Sequence, residues 1–254
     1  MTQLETKYNI LPAQYEKIAV IAKVAADEMM SRLDLASLQP KKIVEVGCAT
    51  GYITALLKKR YPAAELIALD SVDTFLKAAQ NNLSSTAYWV NANSHSLPLL
   101  SQSVDMLIAN LVLPWHIDWM KLLEEWHRIL RPEGLLMITT LGPDTLNEWA
   151  EKDAIYPYFL DMHHLGDGLL QAGFADPILD VDQFILSYQD PQRMLSELQM
   201  TKMLKPDCQL SAEAELQVTF EIVFGHAWGA LPRLPHHTVN ISLESLRRQV
   251  LTKL

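Results

Sequence analysis

Short apolar runs alternate with helical stretches from Lys41 to Leu141, and this alternation restricts the fold more than any other feature of the chain. Ile43-Val44-Glu45-Val46 stops at Gly47 and is followed by a helical stretch from Thr50 to Arg60. Leu66-Ile67-Ala68-Leu69 then ends at Asp70, and a helix over Val72 to Asn81 precedes a run at Ala87 to Val90. Asp105 to Ala109 leads into a helix over Asp118 to Leu130, and the turn Arg131-Pro132-Glu133-Gly134 delivers Leu135 to Leu141. Runs this short and this uniformly apolar are strands buried on both faces. Helices on either side of a parallel sheet provide that burial. The pattern predicts a doubly wound α/β sheet.

The flanks add to this frame. Ile18, Ile21, Ala22, Ala25 and Met29 recur at helical spacing, so Ala13 to Arg32 reads as one amphipathic helix in an N-terminal helical segment, residues 1–40. The main domain then runs over residues 41–254. After Gly142, Asp144 to Glu151 reads as helical, and Asp161 to Gln171 as a helix closed by Gly173. Ile178 to Tyr188 and Val218 to Phe224 read as two late strands, with a helix over Gln192 to Lys205 between them. That inserted helix, at about 190–206, falls beside the carboxyl edge of the sheet, where open α/β sheets bind ligands, and reads as a lid.

Composition excludes several classes. A formal net charge of −9 without a basic block argues against nucleic-acid binding, which needs clustered Lys and Arg. Val104 to Trp115 is apolar but far shorter than the roughly 20 residues of a membrane span, and the N-terminus shows no signal-peptide h-region. Cys48 and Cys208 give neither a disulfide framework nor a zinc pattern, which points to a reducing, cytoplasmic setting. His163-His164 and His236-His237 lack matching ligand spacing, so no metal is expected from them.

The segment Glu45-Val46-Gly47-Cys48-Ala49-Thr50-Gly51 joins the first strand to its helix. Glycines there permit a sharp turn and close approach of a ligand to the backbone, and the helix N-terminus favours an anionic group. Asp70, at the tip of the second strand, is placed to take ribose hydroxyls of a nucleoside cofactor. No phosphate-loop pattern occurs, and G-x-A-x-G replaces the dinucleotide G-x-G-x-x-G. Glu45, two residues before the first glycine, fits a cofactor with a free amino acid end and points to S-adenosylmethionine. The bland alternative is a tight strand-to-helix turn and nothing more.

Over Ile43 to Leu141 the chain resembles the class I S-adenosylmethionine-dependent methyltransferases. Its wider pattern is similar to the malonyl-[acyl-carrier protein] O-methyltransferases of biotin biosynthesis. The blocks that carry the likeness are Asn110 to Trp115, Leu130 to Gly134, Thr140 to Leu146, Asp161 to Asp167, Ala172 to Pro177 and Phe224 to Trp228. The resemblance implies a Rossmann-like, mostly parallel, seven-stranded sheet with an N-terminal helix and a lid. It implies S-adenosylmethionine held by Tyr15, Glu45, Gly47, Ala49, Gly51, Asp70, Ser71, Asn93, Ser94 and Asn110. His116 and Arg193 would face the substrate, a malonyl group on acyl-carrier protein. No residue need act as a general base, because a carboxylate is already ionised near pH 7. Ala49, Asn93, Ala22, Pro114 and Ala150 depart from the usual residues. A second reading is therefore a non-catalytic relative, binding cofactor weakly or not at all and acting through a protein partner. A hydroxylase-type assembly factor resembles the same blocks, but no iron-ligand constellation supports it.

Overall fold

A computed structural model describes residues 10–35, 38–83, 86–149, 155, 157–210 and 216–230. Its strands are the apolar runs: β1 (Lys42–Val46), β2 (Glu65–Asp70), β3 (Tyr88–Asn91), β4 (Val104–Asn110), β5 (Leu130–Leu141), β6 (Phe174–Ser187) and β7 (Gln217–Gly229). They form one seven-stranded sheet in the order β3-β2-β1-β4-β5-β7-β6. β1 to β5 pair in parallel, while β7 lies antiparallel to both β5 and β6.

Alternate residues of the central strands feed two separate cores, which is why those strands read as unbroken apolar runs. Met106, Ile108, Leu135 and Met137 face one side, packed with Ala25, Ala26 and Met29 of α2 (Val20–Arg32) and with Ile53 and Leu57 of α3 (Tyr52–Arg60). Leu107, Ala109, Leu136 and Ile138 face the other side, with Leu122, Leu123, Trp126 and Ile129 of α5 (Trp119–Ile129) and Leu165 and Leu169 of α6 (Met162–Ala172). Each fully buried Leu, Ile or Met among them contributes roughly 2 kcal/mol of transfer free energy.

Asp161 caps α6 by accepting from the His163 backbone N–H, and Gly173 closes it at φ 102°. His163 also sits 3.0 Å from Asp161 through Nδ1, so it belongs to that cap. His236-His237 and Ala150 lie outside the described residues. Cys48 and Cys208 are both buried free thiols.

Four local expectations are corrected. The N-terminal helix is broken: α1 (Pro12–Ile18) ends at Ala19, at ψ 44°, before α2 begins. The break lets α1 lean on α4 (Asp73–Leu83), where Tyr15 and Phe75 stack at 5.0 Å, while α2 packs on the sheet. The described part of the expected helix from Asp144 to Glu151 is a chain of turns, pinned to β7. The Thr145 hydroxyl donates to Glu221 O (3.1 Å) and Leu146 N donates to Thr219 O (2.9 Å). The Arg131–Gly134 turn is a bulge inside β5, with Glu133 at φ 59°. The lid helix, α7 (Pro191–Met200), is shorter than expected and packs Met194 and Leu198 against Leu141, Val218 and Phe220.

Candidate active site

At the carboxyl ends of β1, β2 and β4 the chain encloses a cavity of about 840 Å³, within the range of small-molecule sites. α1 and α7 also contribute lining residues. The bend after β1 forms its floor. Gly47 (φ 74°) and Cys48 donate backbone N–H to Leu69 O at 2.8 and 3.0 Å, which locks the bend to the end of β2. A Cβ at Gly47 would come within 2.7 Å of Val112 Cγ2, so the position admits only glycine without a shift.

Asp70 ends β2 and organises the bend. Its Oδ2 accepts from Ala49 N (2.8 Å) and its Oδ1 from Val72 N (2.8 Å). Burial raises the Asp70 pKa, and these backbone N–H groups oppose the rise. Glu45 lies beneath, 4% exposed, accepting from the Thr54 hydroxyl through Oε2. Burial pushes its pKa up to about 8, with the Asp70 charge adding to the effect. The Tyr15 hydroxyl, buried and near the same carboxylate, is raised to about 12. Burial also drives the Cys48 thiol up, so it is protonated at neutral pH.

The cavity has two characters. The half near β2 and β3 carries Asp70, Ser71, Asn91, Asn93, Ser94 and His95. The half under the lid is lined by Leu111, Trp115, Leu141, Leu198, Met203 and Phe220, with Tyr188, Glu197, Thr201 and Lys202 among its polar members. Burial raises the Tyr188 hydroxyl to about 12, aided by Glu197, and lowers the Lys202 ammonium. A dry half beside a polar half suits a nucleoside cofactor that presents a reactive group to an enclosed acceptor.

A family model described as a methyltransferase domain matches residues 44–138. The malonyl-[acyl-carrier protein] O-methyltransferase of Gallionella capsiferriformans is 33% identical, over 87% of this chain and 88% of that protein. Malonyl-[acyl-carrier protein] O-methyltransferase 1 of Coxiella burnetii is also 33% identical, over 85% and 83%. This chain belongs to the malonyl-[acyl-carrier protein] O-methyltransferase family. Among solved structures, a SAM-dependent methyltransferase of Thermotoga maritima aligns with a TM-score of 0.57 over 85% of this chain and 95% of that one. At 16% identity that likeness speaks for the fold alone.

Membership makes S-adenosylmethionine the cofactor, and the cavity fits it. The space is ample, Asp70 stands at the tip of β2, and Ala49, at φ 45°, lines the hollow without closing it. Tyr15, Glu45, Gly47, Ala49, Asp70, Ser71, Asn93, Ser94, Asn110 and His116 all line this cavity. Gly51 and Arg193 do not. Gly51 (φ 88°) instead caps α3, and a Cβ there would meet Leu83 at 2.7 Å, so it serves packing against α4. Arg193 is 70% exposed and pairs with Glu197, one turn along α7, at 2.9 Å.

Two residues arrive with their polar groups engaged. Asn110 Nδ2 donates to Ala22 O (2.9 Å) and its Oδ1 accepts from Thr139 (2.6 Å), tying α2 to β4. Asn93 Oδ1 accepts from His95 N (2.9 Å) and lies 3.2 Å from His95 Nδ1. His116 is partly buried beside His95, and burial with that neighbour lowers its pKa to about 4, so it enters as a neutral ring. The sequence reading set Lys202 beside Arg193 on the lid as a cation able to aim a carboxylate or meet an acidic carrier, favoured a solvated helix face for both, and gave no role to Tyr188 or His95. No spacing marks them, because a helix inserted between two strands faces the cavity only through its tertiary docking. No helix of the described residues is long and apolar enough to cross a membrane.

Proposed function

We propose that the protein transfers the methyl group of S-adenosylmethionine to the free carboxylate of a malonyl group on acyl-carrier protein, the esterification step of biotin biosynthesis, in the cytoplasm. The observation that carries this reading is the divided cavity, with a polar half around Asp70 and an apolar half under α7. The names of the relatives point to the same acceptor.

When bound, the cofactor supplies an electrophilic methyl carbon. Asp70 would hold the ribose, with Gly47 and Ala49 giving close backbone approach. Glu45, neutral through most of the physiological range, would contribute a carboxylic acid to the cavity floor and no charge. An ionised carboxylate is its own nucleophile, so the protein's work is alignment and exclusion of water. Leu198, Met203 and Phe220 exclude water from the lid half. Lys202, at the end of α7, brings a cation to that half and replaces Arg193 in aiming the acceptor; His116 would line its entry.

Purified protein incubated with malonyl-acyl-carrier protein and methyl-labelled cofactor should yield a base-labile methyl ester on the carrier. Absence of the ester from protein that still binds cofactor would refute the reading. The engagement of Asn93 Oδ1 by His95 favours a second reading, a non-catalytic relative acting through a protein partner. Calorimetric titration separates the two, because micromolar cofactor binding counts against the second.

A further inference from the structure

His95 and His116, which line the cavity, converge with Asp118 from separate segments: the loop after β3, the 3₁₀ turn after β4, and the start of α5. One ligand atom from each lies within 4.8 Å of the others. His95 Nε2 is 2.8 Å from Asp118 Oδ1, and the two imidazoles meet edge to face with centroids 4.9 Å apart.

Two details set this cluster apart from a chance contact. Asp118 occupies the N-cap of α5, where an aspartate ordinarily accepts from a backbone N–H of the first turn. Its side chain makes no such bond and turns to His95 instead. On the far side of the ring, Asn93 Oδ1 lies 3.2 Å from His95 Nδ1 and is placed to accept its proton. A carbonyl acceptor behind a histidine fixes the tautomer and directs the opposite nitrogen's lone pair forward, the arrangement that supports metal-binding histidines. Nε2 in turn meets Asp118 Oδ1 at 2.8 Å, which brings an imidazole nitrogen and a carboxylate oxygen to one point.

We propose that His95, His116 and Asp118 form a binding site for a divalent transition metal of the zinc, cobalt or nickel class. Two imidazoles and one carboxylate suit these borderline ions and ferrous iron as well, a donor set that no spacing in the sequence showed and that only the fold assembles, whereas magnesium and calcium favour oxygen ligands. Lys121 Nζ, 3.6 Å from Asp118 Oδ2, is the competing charge; it is 71% exposed and free to swing away. His95 and His116 both line the cavity, so the ion's remaining positions open toward it. The proposal does not rest on the methyl acceptor.

The test uses the full chain carrying His236→Ala and His237→Ala, so that this pair does not report, stripped with a chelator and titrated with Zn²⁺ against a chromophoric competitor. Co²⁺ in a second titration gives a visible ligand-field band. One equivalent should bind, with the cobalt band, and Asp118→Asn, His95→Gln and His116→Gln should each weaken binding by about tenfold or more. Thermal melting of the metal-free variants shows that they remain folded, and half-buried Asp118, outside the hydrophobic core, provides the variant least able to disturb it. Binding unaffected by the three variants, or no binding at sub-millimolar metal to folded protein, overturns the proposal.

Discussion

Replacing Glu45 with glutamine isolates the free energy of a buried carboxyl group. Glutamine keeps the shape and an oxygen that accepts from Thr54, but it cannot ionise. In the folded protein burial raises the Glu45 pKa from 4.5 to about 8. Above pH 4.5 the unfolded chain releases this proton while the folded chain keeps it, so the unfolded state binds fewer protons and stability falls as pH rises. Each pH unit across that window costs about 1.4 kcal/mol, so Glu45 alone removes about 3 kcal/mol of stability between pH 4.5 and pH 7. The loss levels off above the folded pKa of about 8. Urea denaturation of cofactor-free wild type and Glu45→Gln at a series of pH values reads this directly. Titrating groups remote from Glu45 cancel in the difference, and Asp70, whose charge raises the Glu45 pKa, is the coupled neighbour. The variant should match wild type near pH 4.5 and exceed it by about 3 kcal/mol at pH 7. A difference that stays flat with pH, or one that favours wild type as pH rises, would refute the argument that Glu45 is held neutral.

Other substitutions probe the bend and the lid. Gly47→Ala forces a Cβ into Val112 at φ 74° and should cost about 2–3 kcal/mol in denaturant titration, together with loss of cofactor binding. Ala49→Gly relieves a left-handed residue at φ 45° and should stabilise the fold by about 1 kcal/mol, seen as a higher melting temperature. Asp70→Asn removes the carboxylate that holds the Ala49 and Val72 N–H groups, and calorimetry should show cofactor affinity reduced roughly tenfold to hundredfold. Lys202→Met should raise the KM for the malonyl acceptor by roughly tenfold to hundredfold, with partial rescue by Lys202→Arg, while Arg193→Ala leaves it near wild type.

Much of the sheet is legible in the chain. β1 to β5 sit within a few residues of the apolar runs that announce them, because burial of the central strands on both faces leaves few positions for polar residues, Glu45 and Asp105 being buried exceptions. Gly173 ends α6 as read, since a left-handed cap is a local demand. The break at Ala19 is not legible: Ile18, Ile21 and Ala22 keep helical spacing across it, so periodicity runs straight through. The Asp144 segment has helical composition but takes its hydrogen bonds from β7, more than seventy positions away in sequence. Gly51 and Arg193 lie off the cavity lining for a related reason. Sequence places them near the right elements but not on the face that meets the cavity.

The chain by itself determined a doubly wound sheet, the sharp exit from β1 at Gly47 and the acid at the tip of β2, because each is a requirement of burial pattern or backbone conformation met within a few residues. Only the tertiary structure decided that Lys202 reaches the cavity while Arg193 points to solvent, and that Asp118 forgoes its helix to meet His95 and His116. Those outcomes depend on how helices and loops dock over distant strands, and distances between elements far apart in sequence leave no periodic trace in either one.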